Sequence, residues 1–209
     1  MFTNALGAEF RRFENREHEG KPARVVVAVR TYDTDCTDLW DALTSRERIP
    51  RWFLPVEGDL NLGGRYQLKG NAGGTITRCE PPCALDLTWE FGGSMSWVTV
   101  RLAPEGERTR LTLEHIVHAS DIDEHWKRFG PGAVGVGWDV ALIGLGKHLE
   151  SGGVTVDHEA AHAWMKSDEG KSFMRGSAKS WADAHIAGGE TPEVARRMAE
   201  QTAAFYTGG

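Results

Sequence analysis

Two stretches near the middle of the chain alternate between apolar and polar side chains. "ALDLTWEF", residues 84–91, has an apolar residue at every second position, and "RLTLEHIV", residues 110–117, repeats the pattern apart from one histidine. A period of two is typical of an antiparallel sheet with one covered face and one wet face. The residues that share the two mainly apolar faces are Leu85, Leu87, Trp89, Phe91, Leu111, Leu113, His115 and Val117.

Further strand-like segments extend this pair. They are rich in β-branched or aromatic residues, as in "PARVVVAVRTYD", and glycine, proline or polar turns separate them. Strands so close in sequence need only hairpin connections, which favours an antiparallel meander. The predicted strands span 8–14, 22–33, 64–70, 73–80, 84–91, 95–103 and 108–118.

Two short helices are predicted in "TDLWDALTSRERIPRWF", which follows the second strand. Thr37 or Asp38 can cap the first helix, because their side-chain oxygens accept hydrogen bonds from the first unpaired backbone amides. Ser45 can cap the second helix for the same reason.

A long helix is predicted after the last strand, over 132–151. Pro131 suits its first turn, and Gly152-Gly153 is a typical end. Such a helix can cover the apolar face of the sheet. Its apolar stripe at helical spacing consists of Val134, Trp138, Ala141, Leu142, Leu145 and Leu149.

Four glycines lie inside this helix, where each costs about 0.5–1 kcal/mol relative to alanine. Either they allow close packing against the sheet, or the missing side chains leave space for a cavity. The eight tryptophans of the chain favour the cavity, since pockets are lined mainly by apolar and aromatic side chains. The glycines are Gly135, Gly137, Gly144 and Gly146.

The last part of the chain has no strand pattern and predicts three helices, at about 157–166, 168–187 and 191–206, with Asp168 and Thr191 as caps. Helices of this length need packing to be stable. We therefore expect a domain over 1–153 and a helical extension over 154–209. The extension packs on its own domain or on a second copy of the chain, and we favour a homodimer.

Composition narrows the possible partners. The net charge is −6 and no basic run is present, so we expect no nucleic-acid partner. No apolar segment approaches membrane-spanning length, and "MFTNALGAEFRRFEN" lacks a signal-peptide core, so we expect a cytoplasmic protein with no membrane contact. Cys36, Cys79 and Cys83 are then expected to be reduced thiols.

The sequence contains one metal-site motif. His158, Glu159 and His162 have the spacing H-E-x-x-H, which can place two zinc ligands and a general base on one helix face. The metzincin continuation is absent, and a third ligand would have to come from His185, Glu190 or Glu193. Charged neighbours indicate a solvated helix face, so we interpret the motif as accidental and expect no bound metal.

"GPGAVG", residues 130–135, matches the glycine pattern of dinucleotide-binding loops. That pattern needs a preceding buried strand in a parallel βαβ unit, whereas "DEHWKRF" before it is polar and helical in character. We interpret it as the start of the long helix and expect no cofactor.

Five segments in this order resemble a known family: "DLWDALTSRERIPRWFLP", "LGGRYQLKGNAGGTI", "CEPPCALDLTWEF", "RLTLEH" and "GWDVALIGLGKHL". Over residues 37–150 the chain is similar to the domain like the C-terminal half of the activator of the heat-shock-protein-90 ATPase. That domain belongs to the START-like, birch-pollen-allergen-like (SRPBCC) superfamily. The residues that carry the resemblance are Trp40, Thr44, Trp52, Phe53, Gly63, Gly64, Gly74, Trp89, Leu111, Leu113, Trp138 and Leu149.

The resemblance implies an α+β helix-grip fold, in which a curved antiparallel sheet wraps around a long C-terminal helix. It also implies an internal cavity, where members commonly bind hydrophobic small molecules and some act as cyclases or hydrolases. The chain lacks the separate N-terminal domain of the co-chaperone and carries a helical extension, so chaperone activation is not carried over.

We therefore predict binding of a hydrophobic small molecule without catalysis. A cyclase or hydrolase using the same cavity and a protein-interaction module are the alternatives. His115 should point inward, either as a core histidine or as a polar anchor. The predicted lining consists of Trp52, Phe53, Tyr66, Trp89, Phe91, Leu113, His115, Gly137, Trp138, Ala141 and Leu145.

Overall fold

The computed structural model describes residues 9–208. It contains one sheet of eight strands in the order β1-β2-β8-β7-β6-β5-β4-β3. This is the α+β helix-grip class that the sequence predicts. The strands are β1 (Glu9–His18), β2 (Lys21–Tyr32), β3 (Val56–Gly58), β4 (Arg65–Leu68), β5 (Gly73–Glu80), β6 (Ala84–Phe91), β7 (Ser94–Glu105) and β8 (Arg108–His118).

The helices fall between β2 and β3 and after β8, as the sequence predicts. A short 3₁₀ turn, Ala119–Asp121, follows β8. The helices are α1 (Cys36–Thr44), α2 (Ile49–Trp52), α3 (Glu124–Phe129), α4 (Gly132–Glu150), α5 (His158–Lys166), α6 (Asp168–Ala187) and α7 (Pro192–Thr207).

Two differences concern the strands. The first predicted strand starts at residue 8, outside the described residues, and β1 continues to His18, because only Glu19 and Gly20 form the turn. Both turn residues have positive φ, 50° and 73°, as tight hairpin turns require. The three-residue strand β3 was not predicted, since so short a segment carries no periodicity.

Several predicted helix caps were wrong. Asp35 caps α1 by accepting from the amide of Asp38 at 2.9 Å, so neither Thr37 nor Asp38 is the cap. Ser45 ends α1 and does not cap α2. Ser167 caps α6 in place of Asp168.

The chain divides into two compact units, and β2, β8 and α4 contribute to both. The first unit comprises described residues up to 28, with 118–140 and 157 onward. Its core includes Phe13 of β1, whose ring lies 4.6 Å from that of His185 on α6. The extension therefore packs on its own chain, one of the two arrangements expected. The boundary at residue 153 and the homodimer stay predictions.

The second unit comprises residues 29–117 and 141–156. We call the sheet face that carries Leu111, Leu113 and His115 the inner face. Thr109 shares this face and donates its hydroxyl to the carbonyl of Thr34 at 2.7 Å, which places the start of α1 on this side. The opposed buried pairs of β7 and β8 on the inner face are Val98–His115, Val100–Leu113 and Leu102–Leu111.

Two glycines of α4 correct the cavity interpretation. A Cβ at Gly135 would lie 2.3 Å from the ring of Trp181, and a Cβ at Gly144 would lie 2.8 Å from the carbonyl oxygen of Trp52. At these positions the missing side chain permits close packing and leaves no space. Cβ atoms at Gly137 and Gly146 would make ordinary contacts, at 3.4 Å from Tyr206 and 3.6 Å from Arg30.

Candidate ligand-binding site

The predicted lining residues divide between the two units. Gly137 and Trp138 belong to the first unit, and the other nine belong to the second. Phe91 is 59% exposed at the end of β6, and Trp52, Phe53, Trp89 and Gly137 are partly exposed. The buried members are Tyr66, Leu113, His115, Trp138, Ala141 and Leu145.

His115 and Trp89 come together on the inner face. The sheet register pairs Trp89 of β6 with Ser96 of β7, and Val98 of β7 with His115 of β8. The rings of Trp89 and His115 meet edge to face with centroids 6.0 Å apart. His115 therefore points inward, as its position in the alternation predicts.

Ser96 supplies a polar partner that the sequence reasoning missed. Its hydroxyl lies 3.2 Å from the carbonyl of Trp89, to which it can donate, and 2.9 Å from Nε2 of His115, with which it forms a hydrogen bond. The alternation of "SMSWVTVRL" puts Ser96 on the same face as Val98, and this signal could have identified it.

The protonation of the ring decides what the pair can do chemically. In the bond between Nε2 of His115 and the Ser96 hydroxyl, the tautomer of the ring sets which atom donates. Burial lowers the pKa of His115 to about 4, so the ring is neutral near pH 7. The pair can orient a polar group of a ligand by hydrogen bonding.

The aromatic pair Trp52–Phe53 lies at the end of α2. Its rings stack with centroids 5.3 Å apart, and the Trp52 indole donates to the carbonyl of Ala42 at 2.8 Å. Because α4 approaches the backbone of Trp52 at Gly144, helices α1, α2 and α4 form one packed group in the second unit. This group fixes the position of both rings.

Tyr66 is anchored to the sheet. Its hydroxyl donates to the carbonyl of Thr88 at 2.8 Å, and burial raises its pKa above the ordinary value for tyrosine. The phenol is therefore a fixed hydrogen-bond donor. Gly74 lets the backbone approach the same carbonyl, since a Cβ there would lie 2.0 Å from the oxygen.

The H-E-x-x-H residues lie on α5. His158, Glu159 and His162 are all exposed, whereas His185, one suggested third ligand, is buried in the first unit. Across residues 9–208, no three histidine, cysteine, aspartate or glutamate side chains are grouped so that they could hold a metal ion.

The glycine motif at 130–135 lies where α3 ends and α4 begins. Gly130 has a φ of 59° and ends α3, and Gly135 packs under Trp181. Gly130 therefore has a backbone role and Gly135 a packing role. The strand before them, β8, is antiparallel to its neighbour β7, whereas a dinucleotide-binding loop follows a parallel strand.

Within the part of the chain that the structure describes, no helix is both long enough and apolar enough to cross a membrane.

The fold and the inner face define a helix-grip protein. Residues 33–150 match the family described as activator of Hsp90 ATPase homolog 1-like protein, and the chain belongs to this family. The family and the helix-grip fold confirm the resemblance seen in the sequence. No curated protein matches the chain.

The solved structure of CalU16 from Micromonospora echinospora is similar over most of both chains. In its crystal form it is 33% identical, with a TM-score of 0.68, and covers 85% of this chain and 98% of CalU16. Its solution structure is 34% identical, with the same TM-score, over 87% and 97% of the two chains.

Two more distant structures share the fold alone. Protein MLL2253 from Mesorhizobium loti is 24% identical over 61% of this chain and 98% of its own, with a TM-score of 0.54. The Aha1 dimer from Colwellia psychrerythraea is 13% identical over 61% and 97%, with a TM-score of 0.52.

Proposed function

We propose that the protein binds a hydrophobic small molecule, without catalysis, between the inner face of the sheet and α4 within the second unit. The observation that carries the proposal is the arrangement of Trp89 and His115. A large, partly exposed ring lies against a buried neutral imidazole on a mainly apolar face. Ligand sites typically combine apolar walls with a few fixed polar groups.

The burial of His115 beside Ser96 favours binding over a serine-type hydrolase, because it disfavours the protonated ring that a general base becomes when it takes up a proton. An acid–base enzyme instead needs groups whose pKa values are poised for proton transfer near the working pH. The lowered pKa of His115 removes it from that range.

The test uses an apolar fluorescent probe and a pair of tryptophan variants. Trp89 lies on the inner face, whereas Trp97 lies on the opposite face, where it pairs with Ile116. A probe bound at the inner face should quench Trp89, so Trp89→Phe should remove much of the quenching and Trp97→Phe should retain it. Equal quenching in both variants, or no probe binding, contradicts the proposed site.

Native mass spectrometry of the purified protein then identifies a co-purified ligand. Recovery of a ligand unchanged after incubation supports a carrier. Conversion of that ligand to a cyclised or hydrolysed product would instead establish the enzyme alternative.

We further propose that the protein is a cytoplasmic homodimer that uses the end of α7. Phe205 is 60% exposed and continues a ring cluster, with centroids 5.2 Å from Phe129 and 5.9 Å from His125. Exposed aromatic clusters are typical of interaction surfaces. The Colwellia relative is a dimer, which agrees with this proposal without locating the interface.

A further inference from the structure

His185, near the end of α6, has a ring nitrogen with no polar contact. The side chain is only 3% exposed in the first unit, and Nδ1 is buried without a hydrogen-bond partner among residues 9–208. Buried polar atoms in proteins are nearly always hydrogen-bonded, so each exception needs a physical reason. One such reason is that the nitrogen is a ligand atom.

The other ring nitrogen of His185 faces a carboxylate. Nε2 lies 3.9 Å from Oε2 of Glu190, whose Oε1 accepts from the amide of Thr191 at 2.8 Å. A carboxylate favours the N–H on the nitrogen that faces it, which favours the lone pair of the neutral ring on Nδ1. Burial lowers the pKa of His185, so the ring is neutral near pH 7. Histidines that bind metals commonly have an outer carboxylate that orients the ring in this way.

A thioether lies beside the same nitrogen. A Cβ at Gly130, the last residue of the turn that ends α3, would lie 2.9 Å from Sδ of Met198 and 3.4 Å from Nδ1 of His185. Both donor atoms are therefore within 3.4 Å of one point beside the glycine. The side chain of Met198 is unbranched and adaptable, so its sulfur can approach a shared ion by small movements.

The surroundings of His185 favour an ion of low charge. The ring of Phe13 meets the imidazole at 71° with centroids 4.6 Å apart, and the ring of Trp126 lies 6.3 Å from that of Phe13. Of the charged groups near His185, Glu190 favours a cation and Arg24 disfavours one. A doubly charged ion in this apolar setting would be costly, because these two charges oppose each other and buried charge is expensive.

We propose that His185 and Met198 form a binding site for Cu(I). The pair offers one neutral nitrogen and one neutral sulfur, and thioether sulfur selects Cu(I) among the biological metal ions. A pair of soft donors suffices for Cu(I), whereas a structural zinc ion takes four ligands and calcium or magnesium takes oxygen. The site is separate from the exposed H-E-x-x-H residues on α5, and it does not depend on ligand binding at the inner face.

The test titrates Cu(I) without oxygen into the full chain, in competition with a coloured Cu(I) chelator. Thiols also bind Cu(I), so the experiment uses a chain with Cys36→Ser, Cys79→Ser and Cys83→Ser. We expect one Cu(I) per chain. Methyl NMR should show the Met198 signal shifting in proportion to bound Cu(I), and nitrogen NMR should show Nδ1 of His185 shifting with it.

A matched pair of methionine variants separates this site from other donors. Met198→Leu removes the thioether but keeps an apolar side chain of similar size, a change that costs little stability. It should weaken Cu(I) binding at least about a hundredfold, more than the loss of an outer-sphere partner costs. Met174→Leu, at a buried methionine of α6, should bind Cu(I) as tightly as the parent.

The proposal is wrong if no one-to-one complex forms in the presence of the chelator, or if Met198→Leu binds as tightly as Met174→Leu. It is also wrong if Cu(I) shifts the methyl signals of Met95 or Met165 and leaves that of Met198 unchanged, since the ion is then held elsewhere. Should the chain without cysteines fail to fold, the Met198 and His185 signals of the wild type decide, because they report on this site alone.

Discussion

The indole N–H of Trp181 donates to the carboxylate of Asp139 at 3.0 Å, and both side chains are fully buried in the first unit. Arg11 of β1 donates to the same carboxylate oxygen at 2.9 Å, and the Ser177 hydroxyl on α6 also donates to it. One carboxylate on α4 therefore binds both the first strand and α6. The tryptophan ring can take this position only because residue 135, one turn before Asp139, has no side chain.

Gly135→Ala should destabilise the protein. Its Cβ would lie 2.3 Å from the ring of Trp181, whose N–H is bonded to Asp139. Such overpacking costs about 1–3 kcal/mol. Gly137→Ala is the matched control in the same helix, because its nearest neighbour is 3.4 Å away and alanine favours helix. Urea unfolding measures the free energy of unfolding of both variants. If Gly137→Ala were as unstable as Gly135→Ala, the clash with Trp181 would not be the cause.

The stability should depend on pH through His115. Because burial lowers its pKa from 6.5 to about 4, the folded state favours the neutral ring, and the unfolded state takes up a proton first. The neutral His115 contributes up to about 3 kcal/mol to the free energy of unfolding. This contribution is fully present above pH 6.5 and is lost as the pH falls towards 4.

The measurement compares unfolding free energies of the wild type and His115→Gln across this range. The glutamine can still form a hydrogen bond with Ser96 but does not titrate, so the stability of the variant should fall less on acidification. His125→Asn, an exposed histidine on α3, should follow the wild type. Parallel curves for the wild type and His115→Gln would show that His115 is not the group responsible.

We predict that the protein purified without a chelating tag contains no stoichiometric zinc. The two histidines of the H-E-x-x-H motif are exposed on a short helix, and a zinc site needs further ligands around them. Elemental analysis measures the metal content. One zinc per chain that disappears in the His158→Ala, His162→Ala double variant would contradict our interpretation of the motif.

Light scattering should find a dimer, and Phe205→Glu should shift it towards the monomer. Phe10→Glu is the matched control, because Phe10 on β1 is 61% exposed and Phe205 is 60% exposed. A monomeric wild type rules out the dimer. A dimer broken by the control and unaffected by Phe205→Glu would place the interface elsewhere.

All strands but β3 and the long helices were predictable, and the clearest are long enough to display their period, as in β6, β8 and α4. Local alternation also placed His115 on the inner face. The predicted cap differed by two or three residues at α1 and by one residue at α6, since Asp35 and Ser167 are as suitable chemically as the residues chosen. Neighbouring polar residues compete for this role, and only the backbone decides between them.

What the sequence could not supply were contacts between distant positions. Whether a glycine in α4 makes space or close contact depends on Trp181 at Gly135 and on the Trp52 backbone at Gly144. Neither partner lies within 40 residues, so periodicity contains no information about them. The bond from Arg48 to His148 was invisible for the same reason.

The first unit combines segments from the beginning and the end of the chain, and this affects how the protein folds during synthesis on the ribosome. Its β1 is made early, but Asp139 of α4 and Trp181 of α6 are made much later, so Arg11 and Phe13 emerge long before their partners. The second unit has nearly all its strands by residue 117 and needs only the end of α4. A nascent chain should therefore complete the second unit first and leave β1 exposed to chaperones and proteases until α6 is released.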